Sequence, residues 1–184
     1  MENDVKLYKE FLLGNQNAFD KLMDKYRKNI ICFINGYVKN IDIAEDLAQD
    51  VFVYILINKK EYDFKYSMKT YLYTIARSRA LNYIKREKRI IYLNENVEYG
   101  NKEEDSYSIE EEIFSNERKQ KLYKAIEELN ESQKRAIFLA DIEELSYNEI
   151  GKILGKSISQ TKMIIYRARK NLKKLLGKER MEIG

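Results

Sequence analysis

The chain has 184 residues and a formal net charge of +4, with no histidine, no proline and one cysteine. Without histidine it lacks the commonest general base and metal ligand of proteins, and one cysteine builds neither an internal disulfide nor a zinc site, so we expect no catalytic residues, no small-molecule substrate, no metal and no cofactor. No run of about 18 apolar residues is present and the first residues lack an apolar signal segment, which predicts a cytoplasmic protein without membrane insertion.

Helical periodicity in the first 92 residues predicts four amphipathic helices. Their expected ranges are 5–13, 18–38, 42–58 and 67–91. The absence of proline suits long uninterrupted helices. We therefore predict an all-α fold for this part of the chain.

The third predicted helix carries an acidic face. Asp42 and Glu45 have the spacing of a capping box that opens a helix. The predicted core stripe consists of Ala44, Leu47, Ala48, Val51 and Ile55. On another face lie Asp46, Gln49, Asp50 and Val53. This acidic and amide face with an apolar edge could bind a basic partner surface, and an ordinary solvated face is an equally good interpretation.

The fourth predicted helix is both basic and aromatic. The inward residues are predicted to be Leu72, Ile75, Ala76 and Ala80. The cations available for phosphates are Lys69, Arg77, Arg86 and Arg89. Tyr71, Tyr73 and Tyr83 could stack on unpaired bases, as expected of a protein that holds single-stranded nucleic acid. Tyrosines that fill the boundary of a core are the alternative.

An acidic segment follows the fourth helix. Residues 94–112, NENVEYGNKEEDSYSIEEE, lack apolar periodicity and carry self-repelling charge. This composition predicts a flexible linker over residues 93–112, between helical domains at 1–92 and 113–184. One domain with a long surface loop is the alternative, but a structureless insert of about 20 residues is uncommon inside a compact domain.

The last part of the chain has the pattern of a helix-turn-helix. Ser146 with Glu149, and Ser157 with Gln160, are spaced as capping boxes, and Gly155 between them can take the left-handed conformation of a tight turn. The predicted buried face of the second helix consists of Ile158, Thr161, Ile165, Ala168, Leu172 and Leu175. Its other face consists of Ser159, Lys162, Met163, Tyr166, Arg167, Arg169, Lys170 and Lys173. Such a face indicates DNA recognition, and a solvated basic helix is the alternative.

Three ordered segments together resemble a bacterial RNA polymerase sigma factor of the extracytoplasmic-function (ECF) group of the sigma-70 family. AEDLAQDVF at 44–52 is similar to the family's clamp-binding signature, and TYLYTIARSRALNYIKREKR at 70–89 to its promoter-melting segment. Residues 129–172, from LNESQKRAIF to RARKNL, are similar to the family's carboxy-terminal signature. The resemblance runs through nearly the whole chain.

The resemblance implies sigma domain 2 at 1–92, sigma domain 4 at 113–184 and the acidic linker between them. The partners it implies are core RNA polymerase, promoter DNA and an anti-sigma factor. Contacts with the clamp of the largest polymerase subunit are expected from Asp46, Gln49, Asp50 and Val53. The −10 element and its opened nontemplate strand are expected to meet Lys69, Tyr71, Arg77, Asn82 and Arg86. The −35 duplex is expected to meet Ser159, Lys162, Met163, Tyr166, Arg167, Arg169 and Lys170.

The chain departs from the family pattern at three places. Tyr71 stands where the family usually has tryptophan, and Ser78 where asparagine is frequent. Met163 and Ile164 replace what is often Ser-Arg in the recognition helix, which puts the family's −35 preference in doubt and favours apolar contact such as a thymine methyl.

Two other functional classes compete with the sigma-factor hypothesis. A self-sufficient helix-turn-helix repressor or activator would sense a ligand or dimerise through its first domain and would bind duplex DNA tightly without polymerase. A helical adaptor that does not bind DNA would tolerate replacement of Lys162, Tyr166 and Arg167 together.

Overall fold

The computed structural model describes residues 2–93 and 117–178, and all regular structure within these ranges is helical. The chain divides into two compact units, one ending at Ser106 and the other beginning at Tyr107. Residues 94–112 of the predicted linker lie outside the described residues. None of the described helices has the length and apolar character needed to cross a membrane.

The first unit contains four helices in its described part. They are α1 (Glu2–Leu12), α2 (Gln16–Val38), α3 (Ile41–Ile57) and α4 (Met68–Leu93). The sequence predicted all four, with ends that differ by at most three residues. The predicted capping box of Asp42 and Glu45 is wrong, because Asn40 has an extended backbone and its side chain accepts the first-turn amide of Ile43 at 3.0 Å.

The core of the first unit forms where α2 packs against α1, α3 and α4. Helix α2 contributes large side chains such as Leu22, Ile30 and Ile34, and α3 and α4 contribute four buried alanines beside larger residues such as Phe52 and Tyr73. The four are Ala44, Ala48, Ala76 and Ala80. Small residues on two helices allow both of them to lie close to the bulky third helix.

Three predictions of burial in the first unit need correction. Tyr73 is fully buried and edge-on to Phe33, with ring centroids 4.9 Å apart, so it has no face on which a base could stack. Leu47 and Ile75, predicted as core residues, are only half-buried. The burial of these residues was predicted from periodicity alone. Periodicity does not show how far a neighbouring helix covers them.

The second unit contains the remaining described helices. They are α5 (Glu117–Glu127), α6 (Glu131–Ile137), a π-helical turn (Phe138–Ile142), α7 (Tyr147–Leu154) and α8 (Ile158–Lys178). Helices α5, α6 and α7 all pack against α8. The predicted buried face of α8 is correct for Thr161, Ile165, Ala168 and Leu172. Ile158, in the first turn of α8, is 46% exposed, and Leu175, near the end, is half-buried.

A buried carboxylate fastens α1 to α2. Asp4 is 5% exposed, and its side chain pairs with Lys25 and accepts a hydrogen bond of 2.6 Å from the hydroxyl of Tyr26. Burial by itself raises the pKa of Asp4, but the hydrogen bonds from Lys25 and Tyr26 outweigh it and hold the pKa below its ordinary value of 3.8. The charged form of Asp4 therefore stabilises the folded state.

We expect Asp4→Asn to lower the free energy of local unfolding of α1 and α2 by about 1–2 kcal/mol at neutral pH. Because the folded-state pKa is depressed, the difference from wild type should be complete above the ordinary pKa and should disappear as the pH falls through the folded-state pKa. Hydrogen exchange followed by mass spectrometry measures this for α1 and α2 separately from the second unit. Asp24→Asn, an exposed carboxylate on α2, is the control and should change exchange little. Equal effects of the two variants would contradict the argument.

Candidate polymerase and nucleic-acid interfaces

Helix α3 presents an acidic stripe that ends in apolar side chains. Asp46, Gln49, Asp50 and Val53 are all exposed, at intervals that place them on one side of the helix. The same spacing continues to Leu56 and Ile57, which are 41% and 73% exposed. We name these six residues the α3 face. Among the described residues, neither Asp46 nor Asp50 has an ion-pair partner.

The apolar end of the α3 face was not predicted from the sequence. The interval from Val53 to Leu56 and Ile57 was the available signal, because it repeats the three- and four-residue steps of the acidic part. Three exposed aliphatic side chains next to two unpaired carboxylates suit a partner surface that is basic and partly apolar.

Helix α4 does not bring all of its predicted site residues together. Asn82 and Arg86 are exposed and one turn apart. Lys69 and Arg77 are half-buried, and both lie near the buried side of the helix. Lys69 is three residues before the buried Leu72, and Arg77 is four residues after the buried Tyr73. The predicted site residues that α4 exposes to a partner are therefore Asn82 and Arg86.

Tyr71 belongs to an aromatic cluster between α1, α4 and the segment that joins α3 to α4. Its ring lies 5.1 Å from that of Tyr62, which in turn lies 4.8 Å from Tyr8. Burial raises the pKa of Tyr71 to about 12, and its buried hydroxyl has no hydrogen-bond partner within the described residues. The exposed aromatic rings of this region are Phe64 and Tyr66, which the sequence analysis did not single out, although EYDFKYS at 61–67 is rich in them.

A groove of about 370 Å³ runs beside Asn82, between α3 and α4. It is lined by Tyr54, Thr74, Ile75, Ser78, Arg79 and Asn82. The guanidinium of Arg79 lies 5.2 Å from the centroid of the Tyr54 ring, and the Tyr54 hydroxyl donates a hydrogen bond of 2.5 Å to Glu61. The hydrogen bond to Glu61 raises the pKa of Tyr54. Stacking on Tyr54 therefore keeps a cation at the edge of the groove.

The helix-turn-helix forms as the capping pattern predicts. The side chains of Ser146 and Glu149 cap each other's backbone amides at the start of α7. At the start of α8, the amide of Ser157 donates to Oε1 of Gln160 at 3.0 Å, and the amide of Gln160 donates to Oγ of Ser157 at 3.2 Å. Gly155 has φ +65° and ends α7 in the left-handed conformation. These three local predictions are confirmed.

Gly151 sets the distance between α7 and α8, and the sequence analysis missed it. A Cβ atom at this position would lie 2.7 Å from the carbonyl oxygen of Lys156 and 3.1 Å from Oγ1 of Thr161. Thr161 is fully buried and donates its hydroxyl to the carbonyl of Ser157 at 2.9 Å. A glycine inside an amphipathic helix was the signal for such a close approach.

One side of α8 is an exposed stripe, which we name the α8 face. It consists of Ser159, Lys162, Met163, Tyr166, Arg167 and Lys170, all of which are exposed. Arg169 lies at its edge and is engaged by the π-helical turn, because its guanidinium binds both oxygens of Asp141. The hydrogen bond to Asp141 raises the pKa of Arg169. This pair joins α8 to a segment 28 residues earlier in the chain.

Comparisons with known families and proteins match both units of the chain. Residues 22–90 match the family Sigma-70 region 2, and residues 119–172 match Sigma-70, region 4. The chain is 30% identical to the ECF RNA polymerase sigma factor SigW of Bacillus subtilis (strain 168), over 93% of this chain and 95% of that protein. The chain belongs to the ECF group of the sigma-70 family. It is also 29% identical to the RNA polymerase sigma factor YlaC of the same organism, over 92% of this chain and 98% of YlaC.

Solved structures of sigma factors share the fold. The sigma factor RpoE from Bartonella quintana, solved in complex with the anti-sigma factor NepR, superposes with a TM-score of 0.64 at 23% identity, over 86% of this chain and 96% of that chain. CnrH, solved in complex with the cytosolic domain of CnrY, superposes with a TM-score of 0.61 at 19% identity, over 95% of this chain and 97% of that chain.

The family match assigns each candidate surface to one family region. Region 2 contains α3 and all but the last turn of α4, and region 4 contains most of α5 through the greater part of α8. Sigma factors direct RNA polymerase to promoters and are regulatory subunits rather than enzymes. Within residues 2–93 and 117–178, no group of His, Cys, Asp or Glu side chains is arranged to hold a metal ion.

We expect Gly151→Ala to destabilise the helix-turn-helix by about 1–3 kcal/mol, because the new methyl group meets a backbone carbonyl that cannot rotate away. Gly177→Ala in α8 is the matched control. Its Cβ meets nothing within 4 Å, so this substitution should be neutral or should stabilise the helix by up to about 1 kcal/mol. Hydrogen exchange of α7 and α8 measures both effects. A destabilised Gly177 variant beside an unchanged Gly151 variant would contradict the close approach of the helices.

We expect Arg167→Ala to weaken promoter DNA binding by the polymerase-bound chain and to reduce the slope of log affinity against log salt by about 1. Arg169→Ala should change this slope less, because Asp141 already neutralises the guanidinium of Arg169. Titration of a promoter fragment at several salt concentrations measures both slopes. Equal changes in slope would show that Arg169 leaves Asp141 and contacts phosphate as Arg167 does.

Proposed function

We propose that the chain binds the clamp of core RNA polymerase through the α3 face and directs the enzyme to promoters with α4 and α8. The observation that carries the proposal is the unpaired acidic stripe of α3, in the same chain as an exposed basic helix-turn-helix. A DNA-binding protein that acts alone has no need of the first feature. A polymerase specificity subunit needs both.

The polymerase contact rests on charge and exposure. Asp46 and Asp50 carry uncompensated charge, Gln49 can donate and accept hydrogen bonds, and Val53 with Leu56 and Ile57 adds exposed apolar area. Binding to a basic partner would neutralise the carboxylates and remove the aliphatic side chains from water. Both contributions favour docking of this helix.

The −10 contact rests on α4 and the groove beside it. Asn82 and Arg86 would bind the promoter strand along the exposed stripe, with Arg79 held at the groove for a phosphate. Lys69, Arg77 and Tyr71 remain proposed contributors, although each is half-buried. The opened strand would gain stacking and phosphate contacts that offset the cost of unstacking its bases.

The −35 contact rests on the α8 face. Its amino-terminal residues Ser159, Lys162 and Met163 would reach base edges in the major groove, while Arg167 and Lys170 would neutralise phosphates. Tyr166, which is 64% exposed, lies between these two groups. Arg169 would act mainly by fixing α8 against the π-helical turn.

The proposal includes a place of action and a regulator. The chain would act in the cytoplasm, where polymerase and chromosome are found, and it would perform no covalent chemistry itself. An anti-sigma factor is a further expected partner, since the solved sigma factor RpoE of similar fold is bound to one. The assignment of 1–92 and 113–184 as separate sigma domains, with a flexible linker at 93–112, remains a prediction.

The decisive experiment is transcription by reconstituted polymerase, together with gel shifts in the presence and absence of core enzyme. We expect weak promoter binding by the chain alone and strong, promoter-selective binding and transcript initiation once core enzyme is added. Asp46→Ala combined with Asp50→Ala should weaken core binding by about tenfold or more. Asp20→Ala combined with Asp24→Ala, on the exposed surface of α2, is the matched control and should retain core binding.

Other results would favour the competing classes. Tight, specific duplex binding without core enzyme would indicate an independent repressor or activator. Full function after simultaneous replacement of Lys162, Tyr166 and Arg167 would indicate an adaptor that does not bind DNA. Core binding that leaves the start sites of RNA synthesis unchanged would also reject the proposal.

A further inference from the structure

The first turns of α8 contain few side chains that are free to pair with bases. The specific pairings that proteins use most are those of arginine or lysine with guanine and of asparagine or glutamine with adenine. Gln160 is the amide in this part of the helix, but its Oε1 accepts the backbone amide of Ser157 at 3.0 Å. A bidentate contact with adenine needs that oxygen, so Gln160 would have to give up the helix cap to make it.

Arginine is also missing from this part of the helix. The first arginine of α8 is Arg167, in its third turn, and the next, Arg169, is held by Asp141. Lys162 is the cation closest to the start of α8. A single ammonium group can bind guanine acceptors, but it lacks the planar fork that makes arginine selective for guanine.

Met163 is the large apolar side chain in the centre of the α8 face. It is 49% exposed, and Tyr166, three residues later on the same side, is 64% exposed. A thioether forms no strong hydrogen bond, so its contribution to recognition comes from apolar contact. In the major groove the apolar group that distinguishes one base from the others is the C5-methyl of thymine.

From these observations we infer that Met163 reads a thymine methyl group in the −35 duplex, with Tyr166 enclosing the contact. Lys162 supplies at most one guanine contact. This inference rests on the proposed function, because it assumes that α8 enters the −35 major groove. It adds that a thymine methyl group lies in that groove opposite Met163.

The test compares thymine with deoxyuracil, which lacks only the methyl group. Polymerase reconstituted with the full chain is first used to select promoters from a random duplex library. Each −35 thymine of a selected promoter is then replaced by deoxyuracil. We expect at least one replacement to weaken promoter binding about fourfold, as the transfer free energy of one methyl group predicts.

Substitutions in α8 assign the effect to Met163. With Met163→Ala, thymine and deoxyuracil should bind equally at that position, whereas Met163→Leu should keep the preference. Ile158→Ala is the matched control. Ile158 is a similarly exposed apolar residue of the same helix, but it lies about 140° from Met163 around the axis and should not affect the preference.

Two kinds of failure can be distinguished. If the polymerase selects promoters but every deoxyuracil substitution is silent, or if the thymine preference survives Met163→Ala, the inference is wrong while the proposed function stands. A selected −35 element without thymine would refute it in the same way. If the chain gives polymerase no promoter preference at all, the proposed function fails and the inference fails with it.

Discussion

The burial of one face of α3 and one face of α4 determines which side chains of the first unit can bind a partner. Both helices pack against the bulky side chains of α2, and both turn Ala44, Ala48, Ala76 and Ala80 inward. A helix held on one side by such packing has a fixed opposite side. Asp46 and Asp50 are therefore exposed without partners because their helix cannot rotate, and Asn82 is held at the groove for the same reason.

In the second unit, too, packing on one side of a helix fixes which side chains are exposed, here through contacts between α8 and its neighbours in the chain. Gly151 lets α7 approach the start of α8 closely, and the two capping boxes with Gly155 fix the turn between the helices. Arg169 and Asp141 add a charged link on one flank of α8. The side chains of the α8 face are thus oriented by contacts that lie behind and beside them. Preorganisation of this kind lowers the entropy lost when a partner binds.

Sequence patterns predicted local features well and long-range features poorly. The helices, the caps of α7 and α8 and the exposure of Asp46 and Asp50 follow from residues within one or two turns of each other, so periodicity and spacing suffice for them. Burial of Tyr73, the stacking of Arg79 on Tyr54 and the pairing of Arg169 with Asp141 depend on segments that meet only in the folded chain. No local pattern contains that information.

The three departures from the sigma-factor pattern have different physical consequences because they lie in different surroundings. Tyr71 is packed against Tyr62 within an aromatic cluster. Replacing tryptophan by the smaller tyrosine ring at this position therefore affects packing as well as recognition. Ser78 lines the groove next to Asn82, where a shorter side chain enlarges the space available to a bound strand. Met163 is 49% exposed and lies on the α8 face, so a change there is expected to alter what α8 can recognise more than how α8 is held. Specificity can diverge at such a position at little cost in stability, since surface substitutions usually change stability by less than about 0.5 kcal/mol.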